Sequence, residues 1–347
     1  MVEAVSPRLK IGVVGTGWIA GTMTWFMKLN KRTKISAACD VNPDLLRRFS
    51  KRYRVPATFD DVDSLLATAD VDAVYLAIPH HLHFPFLLKC LDAGKHVFCE
   101  KPLVINLEEA RQVIAKAQQL ELKVGVNYQY RYAPPLYSMV RTIQAGGLGK
   151  LYYGTARCPW YRGQQYYDQG PWRSKWATAG GGTTLIHASH SIDIMAWAMG
   201  TPVSVTGEIA TLREDIPGLE VEDTAAGVVR FDSGALGFIF ASMNSASKEN
   251  QKRDTAVNFQ EFAGSMGRIA CRGPFPVGVH YTGVKRLKVK PPGRGFLNYG
   301  RIVDSFAGWV LNDEEFLTPA EESLKVLSII FGLYESAQIG QRISINL

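Results

Sequence analysis

A few residues in this 347-residue chain have types and spacings that could do chemistry. Gly15, Thr16, Gly17, Trp18, Ile19 and Ala20 form a G-x-G-x-x-A turn. The turn follows an apolar run, Leu9–Val14, and opens a helical stretch, Trp18–Leu29. Gly15 permits a tight turn, Gly17 lets the backbone approach a pyrophosphate, and Ala20 allows close helix–strand packing. Amides at the helix start then face the phosphates. Asp40 closes a second apolar run, Lys34–Cys39. A carboxylate there accepts hydrogen bonds from ribose hydroxyls and repels a 2′-phosphate. Val41 follows it, not the Arg or Ser that would welcome NADP, so NAD is expected. Arg47 and Arg48 are the residues that weigh against NAD. The plainer alternative is a glycine-rich turn with no ligand.

Two further residues suit proton chemistry. Lys101 lies at the carboxyl end of a strand, where open α/β sheets bind ligands. Like charge and desolvation would lower its pKa; the alternative is an ordinary surface lysine. His190 has an unperturbed pKa near neutrality and can accept and return a proton; the alternative is a satisfied core histidine. His187, three residues earlier, borders the same helix face. Asp193, three residues later, either contacts a ligand or orients a neighbour. Positions six apart on a helix diverge by roughly 120°, so these three do not read as a metal site, and no metal is expected.

Residues 152–176 hold five tyrosines and three tryptophans: Tyr152, Tyr153, Tyr161, Tyr166, Tyr167, Trp160, Trp172 and Trp176. Flat rings suit the apolar faces of sugars. Arg157, Arg162 and Arg173 could bind hydroxyls or a carboxylate. Ordinary packing between domains is the competing reading.

These residues need a scaffold. Strands at Leu9–Val14, Lys34–Cys39, Ala73–Ile78, His96–Cys99 and Lys123–Val126 alternate with helices at Trp18–Leu29, Phe84–Asp92 and Leu107–Leu120. Asn42-Pro43 reads as another helix start. Continuous apolar strands separated by helices imply a parallel sheet covered on both faces. Near residue 128 the pattern changes. A helix is expected at Thr183–Met199. Longer, alternating strands follow at Ser204–Thr211, Thr224–Phe231, Ala235–Ser242 and Ala256–Ala263, with turns at Asp232–Gly234 and Gly264–Gly267. That is a largely antiparallel sheet. Residues 272–300 read as an extended loop, and Thr318-Pro319-Ala320-Glu321 as a capping box opening a last helix to about Ile339. The expectation is an α/β fold: a Rossmann dinucleotide-binding domain over 1–127 and a second α/β domain over 128–347.

Composition sets the outer limits. Apolar residues make up 46% and charged residues 20%, near the globular average, with a net charge of +7. The charge comes with no nucleic-acid motif, so nucleic acid is not expected as a partner. No apolar run approaches the ~18 residues of a membrane helix. The first ten residues lack the apolar core of a secretory signal. The five scattered cysteines, Cys39, Cys90, Cys99, Cys158 and Cys271, fit neither a disulfide framework nor a zinc ribbon, so a reduced cytoplasm is expected.

Cys99-Glu100-Lys101-Pro102, taken with the glycine turn, resembles the Gfo/Idh/MocA family of sugar and polyol dehydrogenases. Ala77-Ile78-Pro79-His80-His81-Leu82-His83 is similar to that family's T-P-N-x-x-H stretch, with His80 where Asn is common. Ala93-Gly94-Lys95-His96-Val97 precedes the Glu-Lys-Pro as it does in the family. Asn127 to Tyr132 resembles the segment crossing into the second domain. Trp172-Arg173-Ser174-Lys175-Trp176, the stretch from Gly180 through His190 to Asp193, and Tyr334 to Gly340 complete the likeness. It covers nearly the whole chain.

The resemblance implies an open, mostly antiparallel second sheet whose outer face makes a homo-oligomer, dimer or tetramer. It implies that Lys101 hydrogen-bonds the reacting hydroxyl and that His190 is the catalytic base. Ile78, Pro79, His80, His83 and Glu100 would line or support the cofactor, with Trp172 and Arg173 near its nicotinamide end. Tyr128, Arg131, Trp160, Arg162, Trp176, His187 and Asp193 join Lys101 and His190 as expected substrate contacts. One departure stands out: Ile186 occupies the position, one turn before His190, where many members carry Asp or Asn. His190 then works with Lys101 alone, or His187 replaces the missing polar group. The expected activity is hydride transfer between NAD and a secondary hydroxyl of a sugar, sugar derivative or cyclitol. The rivals are a redox-neutral glycosidase or lyase that retains NAD, and a non-catalytic nucleotide-binding regulator.

Overall fold

The computed structural model describes residues 7–245, 259–273 and 278–347. They divide into two compact units. The first takes the chain up to Val104, then 108–132 and 291–321; the second takes 105–107, 133–290 and 322–347.

The first unit is built on β1 (Leu9–Val14), β2 (Thr33–Cys39), β3 (Ala57–Phe59), β4 (Ala73–Leu76), β5 (His96–Cys99) and β6 (Val124–Val126). Every pairing is parallel, in the order β3-β2-β1-β4-β5-β6. The strand order reverses between β1 and β4, and the crevice beyond their carboxyl ends is where such sheets bind ligands. Residues 73–76 of β4 are all buried, because helices cover both faces; that is why these strands read as unbroken apolar runs. The expected cap is present: the Asn42 side chain accepts from the amides of Asp44 and Leu45, with Pro43 beside it. Strand β3 and the helix Val62–Thr68 escaped the sequence reading. Three partly exposed residues at a sheet edge carry little hydrophobic signal.

The stretch 291–321 packs with the first unit, whereas a single cut at 127/128 places it in the second. Its helix, Leu297–Asn312, stacks Phe306 on Phe98 at 5.0 Å and Tyr299 on Phe26 at 5.5 Å between ring centres. The capping box expected at Thr318 does not open a helix. The Val126 amide donates to the Thr318 carbonyl at 2.9 Å and the Ala320 amide to that of Val124 at 2.8 Å. This stretch therefore pairs with β6, and the helix begins at Glu322. Pairing satisfies main-chain groups that a cap would otherwise have to serve.

The second unit carries β7 (Leu151–Pro159), β8 (Pro202–Ala210), β9 (Thr224–Phe231), β10 (Leu236–Ser242), β11 (Phe259–Gly264), β12 (Gly267–Arg272), β13 (Gly278–Thr282) and β14 (Ile343–Ser344). Their order is β13-β12-β11-β7-β10-β9-β8-β14. The β7–β10 pair is parallel and the other pairs are antiparallel. Residues 256–258, expected to begin a strand, lie outside the described residues, as do 274–277 of the expected loop. That loop also contains β13, which the sequence reading missed under its Gly and Pro content. Helices Ser189–Met199 and Glu322–Ile339 pack on the sheet. Val228 and Phe238, paired across β9 and β10, remain about 40% exposed on its open side. All five cysteines are buried thiols outside any disulfide. Among the described residues no helix is long and apolar enough to cross a membrane.

Candidate active site

The glycine turn of the first unit is shaped by steric necessity. Gly15 has φ +84°, and a Cβ there would lie 2.3 Å from the Ala77 carbonyl oxygen. Gly17 caps the first helix without a side-chain cap, and a Cβ on it would meet nothing within 4 Å. Uncapped amides facing open space are what a pyrophosphate requires, so the turn fits a dinucleotide. Trp18 is 82% exposed beside it, while Ile19 is half-buried and Ala20 fully buried. Asp40 is tied to the same turn: its Oδ2 accepts from the Thr16 amide and the Thr16 hydroxyl, each at 2.7 Å, and its Oδ1 accepts from the Asn42 amide at 2.8 Å. A cleft of about 540 Å³ continues from the turn between the first two helices, past Trp25 and Arg48.

Lys101 follows β5 and is half-buried. Its neighbour Glu100 accepts from the Tyr75 hydroxyl at 2.5 Å and the Asn127 amide nitrogen at 2.6 Å. Burial raises the Glu100 pKa, opposed by those two bonds and by the Lys101 charge. The Tyr75 phenol is pushed well above its ordinary range, first by burial and then by the Glu100 charge. Tyr75 and Asn127 fix the carboxylate, and through it the strand end that carries Lys101. The sequence assigned neither a role: a tyrosine in a buried strand reads as core, and Asn127 reads only as part of the segment crossing into the second domain.

His83, expected to line or support the cofactor, is held between two loops. It is fully buried, with Nδ1 2.7 Å from the Pro102 carbonyl oxygen and Nε2 3.0 Å from that of Ile78. Burial lowers its pKa, opposed by these carbonyls. His83 thus bridges the loop after β4 to the loop after β5. Ile78 and Pro79 are half-buried on the first loop, and His80 is buried 5.7 Å from the His83 ring. Tyr128 and Arg131, expected at substrate, are each 1% exposed, and the Arg131 guanidinium donates to the Leu317 carbonyl at 2.9 Å. Both residues belong to the first unit.

In the second unit the helix expected over 183–199 has two parts. Thr184–Ala188 is a π-helical turn, and Ser189–Met199 continues it as α-helix. Such turns often mark functional sites because they re-aim a side chain. His187, His190 and Asp193 are all buried. The His187 ring lies 4.9 Å from Trp160 and 5.5 Å from Tyr166. The Arg162 guanidinium sits over both Trp160 (4.8 Å) and Tyr166 (5.2 Å). Arg173 sits over Tyr166 (4.7 Å) and Trp172 (5.1 Å). Trp160 and Tyr166 thus flank His187, and the two guanidiniums sit over these rings. Tyr166, central to this cluster, was not singled out among the expected contacts; burial raises its pKa, opposed by both arginines. Ile186 packs in an apolar cluster with Ala179 and Val221, flanked by Trp172 and Trp176. Trp176 donates its ring N–H to the Glu220 carbonyl at 3.0 Å, which makes it a strut of that cluster.

Comparisons with known proteins agree with this architecture. Residues 9–128 match the family model described as an oxidoreductase family with an NAD-binding Rossmann fold. Residues 138–270 match the GFO/IDH/MocA C-terminal domain. The chain is 28% identical over 266 residues to the myo-inositol 2-dehydrogenase of Thermotoga maritima, covering 75% of this chain and 74% of that protein. It is 23% identical to the D-glucoside 3-dehydrogenase of Escherichia coli, covering 98% of each. The WlbA dehydrogenase of Bordetella pertussis, solved with NADH and UDP-GlcNAcA, superposes with a TM-score of 0.87 at 26% identity, over 99% of each chain.

Proposed function

The chain belongs to the Gfo/Idh/MocA oxidoreductases, and on that premise we propose that it oxidises or reduces one secondary hydroxyl or ketone of a sugar, sugar derivative or cyclitol with NAD. NAD, when bound, supplies the hydride acceptor or donor. Asp40 and Thr16 hold the adenosine ribose, and the amides after Gly17 hold the pyrophosphate. Lys101 holds the reacting oxygen and His190 takes or returns its proton. His187 and the rings around it hold the sugar face, with Arg162 and Arg173 toward its polar edge. The observation that carries the reading is the Glu100 carboxylate. It is fixed by Tyr75 and Asn127, and it directly precedes Lys101 at the carboxyl end of the sheet that carries the glycine turn.

The experiment is reduced-nicotinamide absorbance with NAD and a panel of monosaccharides, inositols, uronates and simple glycosides. A signal confined to one substrate group supports the reading. Silence with NAD bound contradicts it and favours a redox-neutral reaction, detected as glycoside cleavage without net cofactor change. The open face of the second sheet, with Val228 and Phe238, is the surface through which we expect a homo-oligomer. Buried thiols outside any disulfide accord with action in a reducing cytoplasm.

A further inference from the structure

We propose that Glu222, with Tyr334 behind it, is the positioning residue for the histidine-bearing helix of the second unit. This rests on the reading of His190 as the acid/base.

Glu222 is 1% exposed and sits on none of the segments expected to carry chemistry. Its Oε2 accepts from the Gly182 amide at 2.6 Å, and its Oε1 from the Thr184 amide at 2.8 Å. Its main-chain carbonyl accepts from the Thr183 amide at 3.0 Å. One residue therefore serves three consecutive amides at the start of the helical run that carries His187, His190 and Asp193. Those are amides that a helix leaves without internal partners. Tyr334 donates to Oε1 at 2.9 Å and so fixes the carboxylate in turn.

The approach is close enough to dictate the sequence around it. A Cβ on Gly182 would lie 1.8 Å from the Glu222 carbonyl oxygen, and one on Gly181 would lie 2.2 Å from the Tyr334 hydroxyl oxygen. The glycines admit the clamp. The π turn at Thr184–Ala188 begins at the clamped amides. Any slip of that start rotates or translates His187 and His190 with it. An ionised carboxylate accepts from every partner it has here. A glutamine would turn an N–H₂ toward at least one N–H or O–H donor.

The test uses the full-length protein as Glu222→Gln and Tyr334→Phe, with His187→Ala and His190→Ala as references. The references assign the two ring signals in a histidine NMR spectrum, so the first readout needs no substrate. In both Glu222→Gln and Tyr334→Phe, the His187 and His190 signals are expected to move and to titrate differently. Those of His81 and His280 should stay in place. Turnover is read with NAD and whichever of myo-inositol, glucose, glucuronate or a methyl glucoside reduces it. Glu222→Gln is expected to lower kcat about 10–100-fold, with KM for NAD within a few-fold, because a small displacement of a reacting group has effects of that size. Tyr334→Phe, which keeps both amide bonds, is expected to lose less.

Unmoved histidine signals, or wild-type kcat in Glu222→Gln, overturn the proposal. So does a loss of kcat matched in both variants by loss of NAD binding and of folded signal. Should Glu222→Gln fail to fold, unmoved signals in Tyr334→Phe overturn it alone. Wild-type turnover in His190→Ala contradicts the underlying reading instead, and is read separately.

Discussion

Asp40 receives two hydrogen bonds from Thr16, amide and hydroxyl, on one carboxylate oxygen at 2.7 Å each. The acid at the end of β2 and the glycine turn after β1 are therefore one preformed unit. Charge-assisted bonds of this kind contribute about 1.5–3 kcal/mol each. Asp40→Ala is expected to weaken NAD and relax discrimination against NADP. Thr16→Val keeps the amide bond and should show the same effect in milder form. The ratio of kcat/KM for NAD and NADP reads both. An unchanged ratio in Asp40→Ala removes this residue from the ribose.

Lys101→Met removes the group expected to hold the reacting oxygen while keeping length and packing. Turnover should fall by about 10²-fold or more, with NAD affinity within a few-fold. Near wild-type turnover would remove Lys101 from the mechanism. Loss of NAD binding in proportion would make it a cofactor ligand only.

Gly15→Ala tests the turn itself. A left-handed backbone costs a non-glycine residue about 1–3 kcal/mol, and its Cβ would also collide with the Ala77 carbonyl. We expect a lower melting temperature and loss of NAD binding together. Gly17→Ala, whose Cβ meets nothing in the protein, should weaken NAD while leaving the melting temperature near wild type. Equal stability losses in the two variants would contradict this division of roles.

Glu100 gives a pH prediction with a definite sign. Its folded pKa is raised above the ordinary 4.5. Between those two values the native state binds more protons than the unfolded state, so stability falls as pH rises through that window. Glu100→Gln cannot ionise and escapes this loss. The melting temperature of the wild type relative to Glu100→Gln should therefore fall as pH rises above the ordinary carboxyl value of 4.5. A pH-independent difference would mean that burial does not perturb this carboxyl.

Much of this was legible in the sequence because the same physics writes both. Leu9–Val14 and Trp18–Leu29 fall where the apolar pattern places them, and a tight turn at Gly15 requires glycine. The parallel strands are buried on both faces, so they are apolar throughout. What stayed hidden depends on partners distant in the chain. Glu222 meets Gly182 across forty residues and Tyr334 across more than a hundred. No local pattern marks such a pair. Thr318 reads as a cap from its neighbours, yet pairing with β6 claims its backbone instead. His83 reads as part of a loop near a cofactor, and nothing local tells that its two nitrogens face the carbonyls of Ile78 and Pro102.

The central claim is hydride transfer between a sugar carbon and nicotinamide. Its most direct test takes the substrate that reduces NAD, deuterated at the carbon bearing the reacting hydroxyl, and weighs the cofactor after turnover. The account predicts one deuterium carried into the reduced nicotinamide, and none in Lys101→Met over the same interval. Deuterium retained in the sugar product, or lost to water while the cofactor stays unlabelled, would contradict it.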